Sequence, residues 1–386
     1  MTQKRKVCVV ITARPSYSRI KTALTAIIEH QDLELQLIVA ASALLSRYGS
    51  AVEYIENDGF HIDEKVFMVI EGASPTSMAK TTGLGIIELG TAFDNLKPDM
   101  VVTIADRFET MATAVAASYM NIPLVHIQGG EVTGSIDEKV RHAITKLADL
   151  HLVASDDAKT RLLKMGEHQE AVFVTGCPSI DIADQVYQNP ALDYDLNEKY
   201  GGVGTDININ DDYIVVMQHP VTTEFEASRE QIQHTIEAID RLGIQTFWFW
   251  PNVDAGSDGT SSGLRSYREE HPDNKIKFFK NIESDDFLKL LKNALCLIGN
   301  SSVGIRECSY LGIPVVNIGT RQNGRQRGKN VRDVAYHDVE IYDAVKYQVS
   351  HGHYDKEMIY GNGCSGQIIA NILSKAMLDI TKVISY

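Results

Sequence analysis

Basic residues are outnumbered in this chain: 37 Lys and Arg stand against 51 Asp and Glu, a formal net charge of −14 over 386 residues. Nucleic-acid scaffolds and anionic-membrane binders carry a basic excess, so neither class fits. The acidic total leaves room for an anionic small ligand, which a local Arg cluster can hold. Cysteine is scarce and scattered, at Cys8, Cys177, Cys296, Cys308 and Cys364, an odd count with no CxxC. That argues against a disulfide framework or a zinc knuckle and fits a reducing cytoplasm. No stretch reaches the roughly 18 apolar residues that a membrane helix needs. The first apolar run, 7–13, is closed at once by Arg14 and Pro15, so it reads as a buried first strand rather than a signal peptide. The twelve His show no HExxH and no paired spacing, and no metal site is expected. His351 and His353 fall in an expected solvent-facing loop. GxGxxG does not follow the first strand and GxxxxGK[ST] is missing, which counts against a dinucleotide oxidoreductase and a P-loop NTPase.

What is present is a strand, loop, helix rhythm. Apolar residues make up 44% and charged residues 23%, a globular balance, and the length suits two or three domains. Val- and Ile-rich runs at 6–12, 35–41, 100–105, 124–127, 151–154 and 172–175 are apolar on both faces, as strands of a covered parallel sheet are. Helical spacing fills 19–30, 77–95, 107–120 and 136–148 between them. A second series of strands follows at 213–217, 246–250, 275–279, 295–298 and 315–318, with helices at 228–242, 284–293 and 304–311. The pattern predicts an α/β protein of two Rossmann-type, doubly wound halves: a first domain over 1–186, an Asn-, Asp- and Gly-rich linker over 187–212 and a second domain over 213–365. A tail helix over 366–386 is expected to pack back across the first domain.

In such sheets ligands sit beyond the carboxyl ends of the strands. Here those ends carry Arg14, Asp106-Arg107, Gln128-Gly-Gly-Glu131, Gln218-His219, Pro251-Asn252, Gly-Asn-Ser301-Ser302 and Thr320-Arg321. Arg14, Arg107 and Arg321 are permanently charged and can grip phosphate in bidentate fashion; any single one can equally be a surface charge. In GNSSVGIRE at 299–307, a strand enters a small-residue turn and a helix begins at the serines. That suits phosphate, with Glu307 placed to accept from ribose hydroxyls; the bland alternative is that Ser302 only caps the helix. Asp106, Glu131, Asp137 and Glu138 are carboxylates near one strand edge, suited to proton transfer, although Asp137 and Glu138 also suit the first turn of a helix. His219, held extended by Pro220, is an acid/base group or a phosphate donor.

In their order, RPSYS at 14–18, ADRFE at 105–109, HIQGGEVTGSIDEKVRHAITKLAD at 126–149, QHPVTTE at 218–224, PNVDAGS at 251–257, GNSSVGIRE and GTRQNGR at 319–325 resemble the hydrolysing UDP-N-acetylglucosamine 2-epimerases across almost the whole chain. The resemblance implies a GT-B-like fold with the active site in the cleft between two Rossmann-type domains. It implies that Arg14, Ser18, Arg107, His219, Asn252, Ser301, Ser302, Glu307 and Arg321 surround UDP, and that Asp106, Glu131, Asp137 and His219 handle protons. It further implies a UDP-sugar substrate, no redox cofactor, no metal, no nucleic-acid or membrane partner, a cytoplasmic homodimer or homotetramer, and the first step of sialic acid biosynthesis. Gln128 stands where the family usually has Glu, and Asp137-Glu138 where it often has Asp-Asp. An amide is no general base, so either Gln128 orients the sugar or Glu131 or Asp137 takes its task. The alternatives are a hydrolysing enzyme of the legionaminic acid pathway acting on UDP-N,N'-diacetylbacillosamine, the non-hydrolysing 2-epimerase, a GT-B glycosyltransferase and a non-catalytic UDP-sugar sensor.

Overall fold

The computed structural model describes residues 3–46, 50–71, 74–132, 136–251, 256–280, 282–377 and 379–384. It divides into two compact units, the first over Met1–Glu131, Ile136–Asp181 and Tyr360–Tyr386, the second over Ile182–Ile359 together with Val132. No helix among the described residues is long and apolar enough to cross a membrane.

The first unit is built on β1 (Arg5–Ile11), β2 (Leu33–Ala40), β3 (Glu64–Val66), β4 (Met100–Ile104), β5 (Leu124–Ile127), β6 (Leu150–Val153) and β7 (Val172–Val174). The sheet order is β3-β2-β1-β4-β5-β6-β7, and every pairing is parallel. β4, β5 and β6 are buried along their whole length, and β1 from Val7 onward, because both faces of the sheet are covered there, while the edge strands β3 and β7 are partly exposed. Val7, Val9 and Ile11 pack with Ile20 and Leu24 on one side, while Cys8 and Val10 pack with Leu89 and Phe93 on the other. Ile369, Ala370 and Leu373 of the helix Ser365–Lys375 join the first of these cores. Two anchors hold that helix. The Asp181 carboxylate accepts the backbone N–H groups of Ser365 and Gly366 at its start, each at 2.7 Å. Arg5 donates to the carbonyls of Leu373 (2.7 Å) and Ala376 (2.9 Å) at its end, where orphan acceptors need a partner.

The second unit contains β8 (Val203–Gly204), β9 (Tyr213–Met217), β10 (Gln245–Phe249), β11 (Ile276–Phe279), β12 (Leu297–Gly299), β13 (Val315–Ile318) and β14 (Val331–Val334). Their order is β14-β13-β12-β9-β10-β11-β8. Only β8 runs antiparallel, against β11. The linker expected over 187–212 is thus part of the unit: it carries the helix Leu196–Tyr200 as well as β8. Three further readings are corrected. The helix expected at 304–311 is two short ones, Ser302–Ile305 and Glu307–Leu311, broken at Arg306 (φ −97°, ψ −70°). The helix expected at 19–30 covers Lys21–Glu29, with a separate turn of helix over Arg14–Ser18. His351 closes the helix Asp338–His351 rather than lying in a loop; it is exposed, and its ring stacks on Tyr354 at 4.0 Å. That helix is held by Ile341, Ala344, Val345 and Gln348, one buried stripe at helical spacing.

Both sheets repeat the 3-2-1-4-5-6 order of a doubly wound nucleotide-binding fold. The order reverses between β1 and β4 in the first unit and between β9 and β12 in the second. These switch points are where the physics of the fold puts ligands.

Candidate active site

At the first unit's switch point, β4 runs into Ala105, Asp106 and Arg107. Asp106 is 9% exposed and is ion-paired with Nη2 of Arg141, itself 1% exposed. Arg141 stands on the helix Ile136–Leu147, and its Nη1 also reaches the Glu131 carbonyl (2.8 Å) and Oε2 of Glu138 (3.3 Å). One buried guanidinium thus gathers Asp106, Glu138 and the backbone of Glu131. The Glu131 side chain is buried. Asp137 is half-buried in the first turn of the same helix, where an acid also suits the helix dipole. Arg107 is half-buried and grips the buried Glu109 through two hydrogen bonds, at 3.2 and 3.3 Å. Beside β1, the Arg14 guanidinium lies 4.6 Å from the centre of the Tyr54 ring. The Ser18 hydroxyl donates to the Arg14 carbonyl at 3.5 Å.

Three strand ends in this unit turn through left-handed backbone without glycine: Ala41 has φ +52°, Ala105 has φ +63° and Gln128 has φ +66°. Such residues cost of order 1–3 kcal/mol each and persist where the surroundings over-determine them. Gln128 is buried, and its amide Nε2 donates to Sγ of Cys177 at 2.8 Å. Its Oε1 is buried with no hydrogen-bond partner among the described residues. An orphaned buried acceptor at a strand end is what a ligand donor would satisfy.

The second unit's switch point is organised by Asn300, fully buried just past β12. Its side chain accepts the His219 N–H (2.7 Å) and donates to the His219 carbonyl (2.8 Å), clamping the end of β9 to the end of β12. Its own carbonyl accepts from Arg321 Nη1 (3.1 Å) and Gln322 Nε2 (2.8 Å). Glycine is required just before it. Gly299 has φ +133°, and a Cβ there would lie 2.1 Å from the Met217 carbonyl oxygen. Ser301 caps the following turn, its Oγ accepting the Val303 N–H at 3.5 Å. Ser302 Oγ accepts from Nη2 of the buried Arg306 at 3.0 Å. The helix after the serines is four residues long, so its dipole is small. Positive charge at this turn comes from Arg306 and Arg321 instead. Glu307 is buried, and its Oε2 has no hydrogen-bond partner among the described residues. Asn252 lies outside the described residues.

The structure therefore gathers His219, Ser301, Ser302 and Arg321 around Asn300, and Asp106 and Glu131 around Arg141. Sequence reasoning named the outer members and put Asn300 at its strand end, but gave no role to Asn300, Arg141 or Arg306. Arg141 did leave a signal, lying three residues after Glu138 on one helix face. Among the described residues, His234, Glu237 and Asp338 bring possible metal-ligating atoms within 4.8 Å of one another; all three sit on helices.

Two doubly wound sheets, with serine hydroxyls and guanidiniums at the switch point of one and a buried acid–guanidinium cluster at that of the other, define an α/β enzyme of the GT-B-like class. The chain belongs to the UDP-N-acetylglucosamine 2-epimerase family, whose model matches residues 25–374. It is 35% identical over 341 residues, 88% of this chain and 87% of the relative, to the hydrolysing UDP-N,N'-diacetylbacillosamine 2-epimerase of Legionella pneumophila. It is 31% identical over 360 residues, 93% of this chain and 91% of the relative, to the UDP-N-acetylglucosamine 2-epimerase of Neisseria meningitidis. In fold it matches the Methanocaldococcus jannaschii UDP-GlcNAc 2-epimerase solved with UDP-GlcNAc and UDP, with a TM-score of 0.79 at 18% identity over 96% of this chain and 100% of that one.

Proposed function

We propose that this chain is a hydrolysing UDP-sugar 2-epimerase that converts UDP-N-acetylglucosamine and water into N-acetylmannosamine and UDP, the entry step to sialic acid. The observation that carries this reading is the Asn300-centred turn, whose serines, guanidiniums and unpartnered Glu307 oxygen suit a nucleoside diphosphate. Ser301, Ser302, His219 and Arg321 take the diphosphate and Glu307 the ribose; Arg14, Ser18, Arg107 and Asn252 complete the UDP contacts. Asp106, Glu131 and Asp137 take the proton chemistry with His219. A carboxylate removes the C2 proton, the C1–O bond breaks, and UDP leaves with the electron pair, giving a glycal-like intermediate. Water then adds its hydroxyl at C1 and a proton returns to C2 on the opposite face. Diphosphate is a good leaving group once cations hold its charge. Relatives named hydrolysing support release of a free sugar. The name of the Legionella relative also favours a second substrate, UDP-N,N'-diacetylbacillosamine. NMR of each reaction in D2O tests the reading: deuterium at C2 of a free sugar, with UDP released, is expected. An intact epimerised nucleotide sugar, or no turnover, would overturn it.

Arg321→Ala and Arg14→Ala should each weaken UDP binding by about tenfold or more, since a charge-assisted phosphate contact is worth roughly 1.5–3 kcal/mol. Calorimetry with UDP checks this, and unchanged affinity in both variants would remove the diphosphate assignment. Gln128→Glu should slow the enzyme by about tenfold or more. A carboxylate has no N–H for the Cys177 sulfur, and it brings a charge to a buried position. The check is kcat across pH 6–9. A variant faster than wild type throughout would make Gln128 a lost catalytic group.

A further inference from the structure

His126 lies in the strand before the QGG turn and has no part in the chemistry above. Its ring is fully buried and makes two hydrogen bonds. Nε2 lies 2.9 Å from the carbonyl oxygen of Ala105, and Nδ1 lies 3.2 Å from Oγ1 of Thr145. A carbonyl only accepts, so Nε2 carries the hydrogen and Nδ1 accepts from the Thr145 hydroxyl. Burial lowers the imidazole's pKa to about 3, so the ring is neutral at working pH and its single donor and single acceptor are both used.

The two partners are the informative part. Ala105 is the left-handed residue that joins β4 to Asp106. Its N–H closes the ladder to Ile127 at 2.9 Å, and its carbonyl, past the end of the strand, is taken by the imidazole. That carbonyl belongs to the peptide leading into Asp106, so holding it sets the direction in which the Asp106 side chain leaves the backbone. Thr145 sits on the helix Ile136–Leu147, which also carries Arg141, the ion-pair partner of Asp106. One ring therefore ties the backbone that aims the acid to the helix that carries its counter-charge. Gly129 makes room for this: a Cβ there would lie 2.9 Å from Nδ1 of His126 and 3.1 Å from Oγ1 of Thr145.

We propose that His126 is a positioning residue for Asp106, locking the left-handed Ala105 turn so that the carboxylate meets both Arg141 and the substrate. The proposal rests on the reading that Asp106 carries proton chemistry. A displacement of about 1 Å at a reacting group can cost on the order of 10²-fold in rate.

The test uses the full-length enzyme and UDP-N-acetylglucosamine. His126→Phe keeps a buried aromatic and removes both hydrogen bonds. The expected result is a kcat lowered by about 10²-fold, with KM and calorimetric UDP affinity within about twofold of wild type. Because both changes act on one group, the double variant His126→Phe with Asp106→Asn should be little slower than Asp106→Asn alone. Thr145→Val, which leaves the imidazole in place, should lower kcat severalfold, and Thr145→Ser should restore it. These two decide the matter if His126→Phe fails to fold. Wild-type kcat in His126→Phe or in Thr145→Val, losses that multiply in the double variant, or a parallel collapse of UDP affinity would each overturn the proposal. If Asp106→Asn itself turns over normally, the reading of the reaction falls and the inference with it. If Asp106→Asn is slow and His126→Phe is not, only the inference falls.

Discussion

Asp106→Asn should lower kcat by roughly 10²–10⁴-fold while UDP affinity stays at the wild-type value. Asn preserves the shape of the side chain and removes its capacity to take a proton. The carboxylate sits at the first unit's switch point, nearly buried and opposed to a guanidinium that water hardly reaches. With the charge gone, Arg141 keeps the Glu131 carbonyl and Glu138 as partners, so the variant should fold with a lowered Tm. The turn around Asn300, which we propose holds UDP, lies in the other unit. Asp137→Asn should likewise lose turnover and keep UDP affinity. UDP release measured under saturating substrate, beside calorimetry with UDP, separates the two effects. Near-normal rates in both variants would move the proton chemistry to other residues.

Glu167→Gln should lower the Tm of the first unit by roughly 6–20 °C at pH 7. Glu167 is 2% exposed and carries three hydrogen-bonded partners: Lys146 Nζ at 2.6 Å, Lys382 Nζ at 2.7 Å and His151 Nε2 at 2.9 Å. Burial alone pushes its pKa up, but the bonds from His151, Lys146 and Lys382 outweigh it and bring it down to about 2. Removing one member of a buried ion cluster costs roughly 3–5 kcal/mol, and each kcal/mol moves Tm by roughly 2–4 °C in a unit of this size. Lys382 also donates to the Thr145 carbonyl at 2.8 Å and to that of Ala148, tying the chain beyond the last helix to the end of the helix Ile136–Leu147. The pH dependence follows from the direction of the shift. The folded pKa lies below the ordinary 4.5, so the contribution of Glu167 is complete above about pH 4.5 and is lost as pH falls toward about 2. Scanning calorimetry should therefore show a wide gap between wild type and variant at pH 7 that narrows below pH 4.5. A gap under about 2 °C at pH 7 would show that the cluster contributes little.

The amino-acid sequence by itself determined the two doubly wound sheets and the residues at their carboxyl ends. A strand covered on both faces is a local apolar run, and the residue after it is next in the chain, so Asp106, Arg107, His219, Ser301 and Arg321 could be named from order alone. The edge strands β3, β8 and β14 escaped because two of them are only three and two residues long and the third is half-exposed, and none makes an apolar run. Only the tertiary structure decided what holds the named residues. Asp106 meets Arg141 from 35 positions away, and Asn300 clamps the backbone of His219 across 81. Such pairings depend on which strand lies beside which, and no local periodicity records that. The helix expected at 304–311 also failed. It breaks at Arg306, a buried cation that reaches back to Ser302, and the chain at that point follows the needs of the turn rather than its own helical spacing.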